Sequence, residues 1–185
     1  FSADIHFGLN RARLLAETDE LTGALNMRGF AIAASRLVSQ AVRFDRPATV
    51  LMIDSDNLKA VNDTHGHEAG NQLLRLLARV IQAELRGSDV LARYGGDEFV
   101  VLLPETSPEG AVLVAERIRA EMAASPLEVG GKQVQCTVSI GAASLPADGG
   151  TLEAIVARAD RAMYQAKSGG RNRVVRYGAE RPAPA

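Results

Sequence analysis

Four carboxylates in two short runs carry the most chemistry in this chain of 185 residues. Asp97 and Glu98 directly follow Gly95-Gly96, and Asp54 and Asp56 directly follow the apolar run 48–53. Glycine accepts φ > 0 without steric cost, so Gly95-Gly96 predicts a tight hairpin turn between strand-like stretches at 89–94 and 99–103. Two glycines also leave room for phosphates to approach the backbone. A bare turn beside paired acids points to metal-dependent phosphoryl or nucleotidyl transfer. Mg²⁺ takes hard oxygen ligands, often one or two carboxylates completed by substrate phosphates. Asp54, ending a buried strand, and Asp97, just past the turn, converge if their strands are neighbours. Asp56 reads as a helix cap. Taken alone, the same turn also fits an ordinary exposed hairpin.

The elements that position these groups follow from apolar periodicity. Asn26 caps a helix over 27–44, with Phe30, Leu37, Val38, Ala41 and Val42 inward, and Pro47 breaks the pattern. The run 48–53 predicts a buried strand. A short helix is expected over 57–63, interrupted at Gly66. A long helix follows with Leu73, Leu74, Leu77, Val80 and Ile81 on one face, closed by Gly87. Residues 108–124 read as helix with Val112, Val114, Ala115 and Ile118 inward. Gly130-Gly131 predicts a hairpin joining 127–129 to 133–142. A last helix covers 151–167 and a closing strand lies at Val174-Val175. Helices mixed with hairpins mean α+β with a mostly antiparallel central sheet.

Residues 1–17 read as the end of a helix entering from upstream, 18–176 as the domain, and 177–185 as a disordered tail. The chain starts at Phe1 and reads as a piece of a longer protein. It is 46% hydrophobic and only 4% aromatic, so the core must be aliphatic. A net charge of -1 gives no basic face for nucleic acid. The lone Cys136 fits a reducing compartment. No apolar run approaches the ~18 residues of a membrane span, and no signal peptide is visible.

The run Arg93-Tyr94-Gly95-Gly96-Asp97-Glu98-Phe99 resembles the signature of the GGDEF family, the diguanylate cyclases. Four further blocks resemble family hallmarks in order: 19–26, 54–71, Val138-Ser139-Ile140-Gly141 and 159–172. The likeness spans residues 18–176. It implies a sheet flanked by helices, similar to the palm of nucleotide cyclases and polymerases. It implies condensation of two GTP into cyclic di-GMP with Mg²⁺ or Mn²⁺, in a two-fold homodimer driven by a sensor upstream. The domain would be cytoplasmic, in a protein that is itself attached to a membrane or free. By position, Asp54, the Ser55 carbonyl and Asp97 bind metal, and Glu98 is the base or a second metal ligand. Lys59, Lys167 and Arg171 contact the triphosphate, Asn62 and Asn71 read guanine, and Gly95-Gly96 line the substrate. His65 and His67 lie two apart and His6 carries no signal, so none reads as a ligand.

Arg86-Gly87-Ser88-Asp89 resembles the family's product-inhibition motif, with Arg117 as a second arginine for it. Six extended residues, ~20 Å, separate Asp89 from Gly95. A ligand there could act only allosterically. The alternatives are a surface ion pair for this motif, and a non-catalytic nucleotide-binding module or a cyclase of relaxed purine choice for the chain.

Leu58 replaces a common Phe, and Asn71 a common Asp. A carboxylate accepts from both donors on guanine's edge, whereas a carboxamide offers one acceptor and one donor group. Asn71→Asp is therefore expected to sharpen rejection of ATP up to about tenfold, the equivalent of one charge-assisted bond of ~1.4 kcal/mol. Competition between equal GTP and ATP, scored by mixed cyclic dinucleotides, checks this. An unchanged product ratio means that position 71 does not read the base.

Overall fold

The computed structural model describes residues 16–179. The expected entering helix lies outside this range except for residues 16 and 17, which are helical, and the tail lies outside it beyond 179. Helix α1 (Met27–Arg43) is capped by Asn26, whose Oδ1 accepts from the Gly29 amide at 3.0 Å. It buries Phe30, Ala34, Val38 and Ala41. Val42, expected inward, is exposed. At ~100° per residue it falls about a quarter-turn off the stripe set by those four.

Strand β1 (Ala48–Ser55) is followed by α2 (Leu58–His65) and α3 (His67–Ala83). Strands β2 (Val90–Gly95) and β3 (Glu98–Pro104) form the hairpin, and α4 (Pro108–Ala124) follows. Then come β4 (Leu127–Val129), β5 (Lys132–Val134), β6 (Val138–Leu145), α5 (Leu152–Ser168) and β7 (Val174–Arg176). The main sheet runs β2-β3-β1-β6-β7, antiparallel except for β6 beside β7.

Strand β1 is continuously apolar because both faces of the sheet are covered. Leu51 and Ile53 join Phe99, Val101, Leu103 and Ile140 in one core, which includes residues of α2, α3 and α4. Val50 and Met52 join Val100, Leu102 and Ala143 in the other, with residues of α1 and α5. Alternate side chains of a strand point to opposite faces, so each face takes every second residue.

Four local expectations need correction. Helix α3 stops at Ala83, before Gly87, in a tightened turn where the Glu84 amide reaches the Ile81 carbonyl at 3.0 Å. Helix α4 buries Ala111, Ala115, Ile118 and Met122, leaving Val112 and Val114 half-buried. The run 133–142 is divided. Residues of β5 pair only with β4, while β6, buried along its whole length, joins β1 in the main sheet. Burial in the sheet outweighs continuation of a small exposed hairpin. The active hairpin turns at Gly96-Asp97, because Gly95 pairs with Glu98 inside the ladder. None of these residues has φ in the left-handed region.

Helix α5 lies unusually close to β6. A Cβ on Gly141 would stand 2.1 Å from the Ala159 carbonyl oxygen and 2.2 Å from the Met163 nitrogen. Ala159, Ala162 and Ala166 complete the small face that allows this seating. Gly141→Ala must push the helix from the sheet, since backbone atoms cannot rotate away. A loss of about 3 kcal/mol is expected, at the upper end for overpacking. Urea unfolding checks it, and a midpoint like that of the wild type would show that α5 does not need this close approach.

Candidate active site

The acids meet because β1 and β3 are neighbours. Asp54 stands opposite Glu98 in the ladder, and the Ser55 amide donates to the Asp97 carbonyl at 3.3 Å. Like charges placed directly opposite are unfavourable. The close seating of α5 brings a cation to them. Lys167 Nζ lies 3.2 Å from Asp54 Oδ2, 3.0 Å from Asp56 Oδ1 and 2.7 Å from the Ser55 carbonyl oxygen.

Burial is the main cause that pushes the Asp54 carboxyl up to about 7. Lys167 opposes this, and the adjacent Asp97 carboxylate adds to it. Asp54 Oδ1 is buried with no hydrogen-bond partner. Glu98 is also raised, by burial first and then by Asp160 and Asp97, against the pull of Lys167. Asp160 belongs to α5 and was not singled out in the sequence, although it lies within a quoted block.

An orphaned carboxylate oxygen beside the Ser55 carbonyl and a second acid suits a hard divalent cation. Among the described residues no cluster of three or more His, Cys, Asp or Glu has metal-binding geometry. Two carboxylates, Asp54 and Asp97, and the Ser55 carbonyl stand together here, with Glu98 adjoining. Water or phosphate oxygens would have to complete an octahedron. The turn leaves room for them, since a Cβ at Gly95 or Gly96 would meet nothing within 4 Å. The glycines thus keep the tip clear rather than supply a special backbone angle.

Asp56 is no helix cap. Its carboxylate accepts from Thr137 Oγ1 at 2.7 Å, Ser139 Oγ at 2.7 Å and the Asn172 amide at 3.0 Å, besides meeting Lys167. These bonds outweigh its burial and hold it below the usual carboxylate range. The N-cap position of α2 is Asn57, and its Oδ1 accepts from the Thr137 amide at 2.8 Å instead of capping. Sequence spacing could not show this, because the partners lie 80 to 116 residues away.

Asn62 and Asn71 sit where α2 meets α3. Asn62 Oδ1 is buried without a partner, and a Cβ on Gly70 would lie 1.8 Å from it. Asn71 Nδ2 donates to Glu68 Oε2 at 3.4 Å. Lys59 is exposed on α2. Arg171 is exposed in the loop after α5, with φ of 61° followed by Asn172 at 44°. His67 is the first residue of α3.

Arg93 is a further residue that sequence reasoning passed over, although it opens the quoted signature. Its NH2 group donates to the Gly96 carbonyl at 2.7 Å, and its NH1 group meets Asp19 at 3.2 Å. It braces the turn against the 18–25 segment.

Arg86 and Asp89 lie at the other end of the sheet. The Arg86 amide donates to Asp89 Oδ2 at 2.7 Å, and its guanidinium reaches Asp89, Thr106 Oγ1 and the Pro104 carbonyl. A cavity of about 450 Å³ opens beside it, against Phe44, Arg46 and Glu105. Arg117 pairs with Glu84 at 2.8 Å and does not bond to either residue of the motif. Among the described residues no helix is long and apolar enough to cross a membrane.

Comparison with known proteins agrees with this architecture. Residues 16–173 match the family described as diguanylate cyclase, GGDEF domain. Response regulator PleD of Caulobacter vibrioides is 41% identical over 169 residues, covering 90% of this chain but 37% of PleD. The chain thus spans little more than a third of that relative. The solved GGDEF domain of TpbB, or YfiN, from Pseudomonas aeruginosa superposes with a TM-score of 0.83. It is 38% identical, covering 86% of this chain and 94% of that one. The coiled coil and GGDEF domain of DgcB from Caulobacter crescentus, solved with c-di-GMP, gives a TM-score of 0.86 at 31% identity. That match covers 95% of this chain and 93% of that one.

The raised Asp54 carboxyl has a measurable consequence. Between its ordinary 3.8 and about 7, the folded chain keeps a proton that the unfolded chain has lost. Its stabilising contribution is therefore present at low pH and falls as pH rises through 7. Asp54→Asn never ionises. Without divalent metal, its melting temperature is expected to exceed that of the wild type at about pH 8, and the gap to shrink at about pH 5. Thermal melts at both pH values check this; an equal gap at both would contradict the burial of a charge here.

Proposed function

The chain belongs to the GGDEF-domain diguanylate cyclase family, and from that premise we propose that it condenses two GTP into cyclic di-GMP and two pyrophosphates. The observation that carries this reading is the unpartnered Asp54 Oδ1 beside the Ser55 carbonyl and Asp97, at a hairpin tip cleared by Gly95 and Gly96. One 3′-oxygen bonds to the α-phosphorus of the other GTP, the bond from that phosphorus to the bridging oxygen breaks, and pyrophosphate leaves. The second 3′-oxygen repeats the step on the first GTP.

Asp54, the Ser55 carbonyl and Asp97 would hold Mg²⁺ or Mn²⁺. When bound, such an ion acidifies the attacking hydroxyl and stabilises charge at the α-phosphate. Glu98, raised by burial and by neighbouring acids, is suited to receiving the hydroxyl proton. Lys59, Lys167 and Arg171 supply positive charge for the triphosphate. Asn62 and Asn71 flank the α2–α3 junction and would read guanine.

The product is two-fold symmetric, and each domain carries one such constellation. The working unit is then a two-fold homodimer with its halves facing, governed by a sensor outside this chain. Cyclic di-GMP binding at Arg86 and Asp89 would inhibit from the far end of β2. Support comes from their position by the Pro104 end of β3, opposite the carboxylates, and from the adjoining cavity. Arg117 could join only by leaving Glu84.

Asp97→Asn is expected to abolish cyclic di-GMP synthesis from GTP and Mg²⁺ while circular dichroism stays unchanged. Specific activity of the wild type should rise with protein concentration and level off as dimers fill. Turnover by Asp97→Asn like that of the wild type would refute the site. Flat activity down to concentrations where sizing shows monomers would refute the shared dimer.

A further inference from the structure

The ammonium of Lys167 stands among oxygens that the proposed function assigns to a metal. Its three oxygen contacts are the Ser55 carbonyl at 2.7 Å, Asp54 Oδ2 at 3.2 Å and Asp56 Oδ1 at 3.0 Å. The first is the carbonyl of the proposed metal position, and the second is the other oxygen of the Asp54 carboxylate whose Oδ1 is unpartnered. The third belongs to Asp56, whose oxygens are already engaged by Thr137, Ser139 and Asn172. A divalent cation on the Ser55 carbonyl and Asp54 Oδ1 would share that carbonyl and that carboxylate with the ammonium, and their mutual repulsion is large in a poorly hydrated site.

We propose that Lys167 is the resident counter-ion of the metal position and leaves it only when a nucleotide triphosphate offers its ammonium new oxygens. Metal and triphosphate then enter together, and the metal alone is excluded. The inference rests on the metal and triphosphate assignments of the proposed function.

Three features favour an exchange over a fixed lysine. Lysine is a point charge on a flexible four-carbon stem, so its ammonium can move without shifting the helix. Asp56 keeps its three other bonds throughout and serves as the pivot. The contrast with the other cations is also informative. Among the described residues the side chains of Lys59 and Arg171 are exposed, and neither forms an ion pair, so both are free to meet phosphate at once. Lys167 is mostly buried, at 20% side-chain exposure, against acids of 15% and 3%. Withdrawing it without a replacement would leave a buried carboxylate unneutralised, which is strongly unfavourable. A tethered cation also competes at high effective concentration with a free one.

The test uses the whole chain and Mn²⁺ alone, titrated without nucleotide and read by the free Mn²⁺ signal in electron paramagnetic resonance. Lys167→Gln and Lys167→Met are expected to bind Mn²⁺ at least about tenfold more tightly than the wild type, because the competing charge is gone. Unchanged affinity in both folded variants would overturn the proposal. A second arm needs no variant. The lysines are Lys59, Lys132 and Lys167, and the first two are exposed, so a buried ammonium resonance in nitrogen-15 spectra belongs to Lys167. Millimolar Mg²⁺ alone should leave that resonance in place, whereas Mg²⁺ with α,β-methylene-GTP should shift it. Displacement by Mg²⁺ alone would overturn the proposal even if neither variant folds. If the wild type holds neither Mn²⁺ nor the GTP analogue under any condition, the metal and nucleotide assignments of the proposed function fall, and this inference falls with them.

Discussion

Lys167 and Asp56 make the contact around which the site is assembled. The carboxylate is almost wholly shielded and the ammonium mostly so. Through it the end of β1, the start of β6 and the last turn of α5 are held in one geometry. The contact exists only because α5 can lie against β6 at Gly141, where a single added carbon would strike helix backbone. A small-residue face on one helix thus determines where a cation stands relative to acids on a strand more than a hundred residues earlier. Asp56 then holds the Asn172 amide, fixing the backbone next to Arg171 in its left-handed turn.

Two aspartates two residues apart behave in opposite ways, and hydrogen bonding accounts for the difference. Asp56 accepts three bonds besides its ion pair and is held below the ordinary carboxylate range. Asp54 is raised chiefly by its burial, which no set of accepted bonds offsets since one oxygen has no partner, and Asp97 adds to it. The first is a finished structural joint. The second is an unsatisfied group whose cost the fold tolerates, as expected where a ligand completes the bonding.

Strands β2 and β3 link the two ends of the domain. At one end Arg93 braces the Gly96 carbonyl and Asp19. At the other Arg86 gathers Asp89, Thr106 and Pro104. Between them the strands are buried in a continuous sheet, so a ligand at Arg86 has no direct access to the carboxylates. Any influence must pass through domain arrangement or through the rigid hairpin itself.

Much of the fold was legible from local signals. Helix α1 was readable from Asn26 and its apolar spacing, and β1 from its uninterrupted apolar run. The acids at 54, 97 and 98 could be named because residue type and neighbouring glycines are visible in sequence. Errors arose where burial competed with local pattern. Val42 fits helical spacing but misses the stripe, and the run 133–142 divides because its second part is wanted by β1. Asp56 looks like a cap in one dimension, since its true partners at 137, 139 and 172 are invisible to any local window. What the sequence determined by itself was which chemical groups exist and which elements carry them. Only the tertiary structure decided which oxygens are satisfied, which carboxylate is pushed toward neutrality and where Lys167 places its charge. Those properties depend on desolvation and on contacts between residues far apart in the chain, and neither is a property of any stretch of sequence alone.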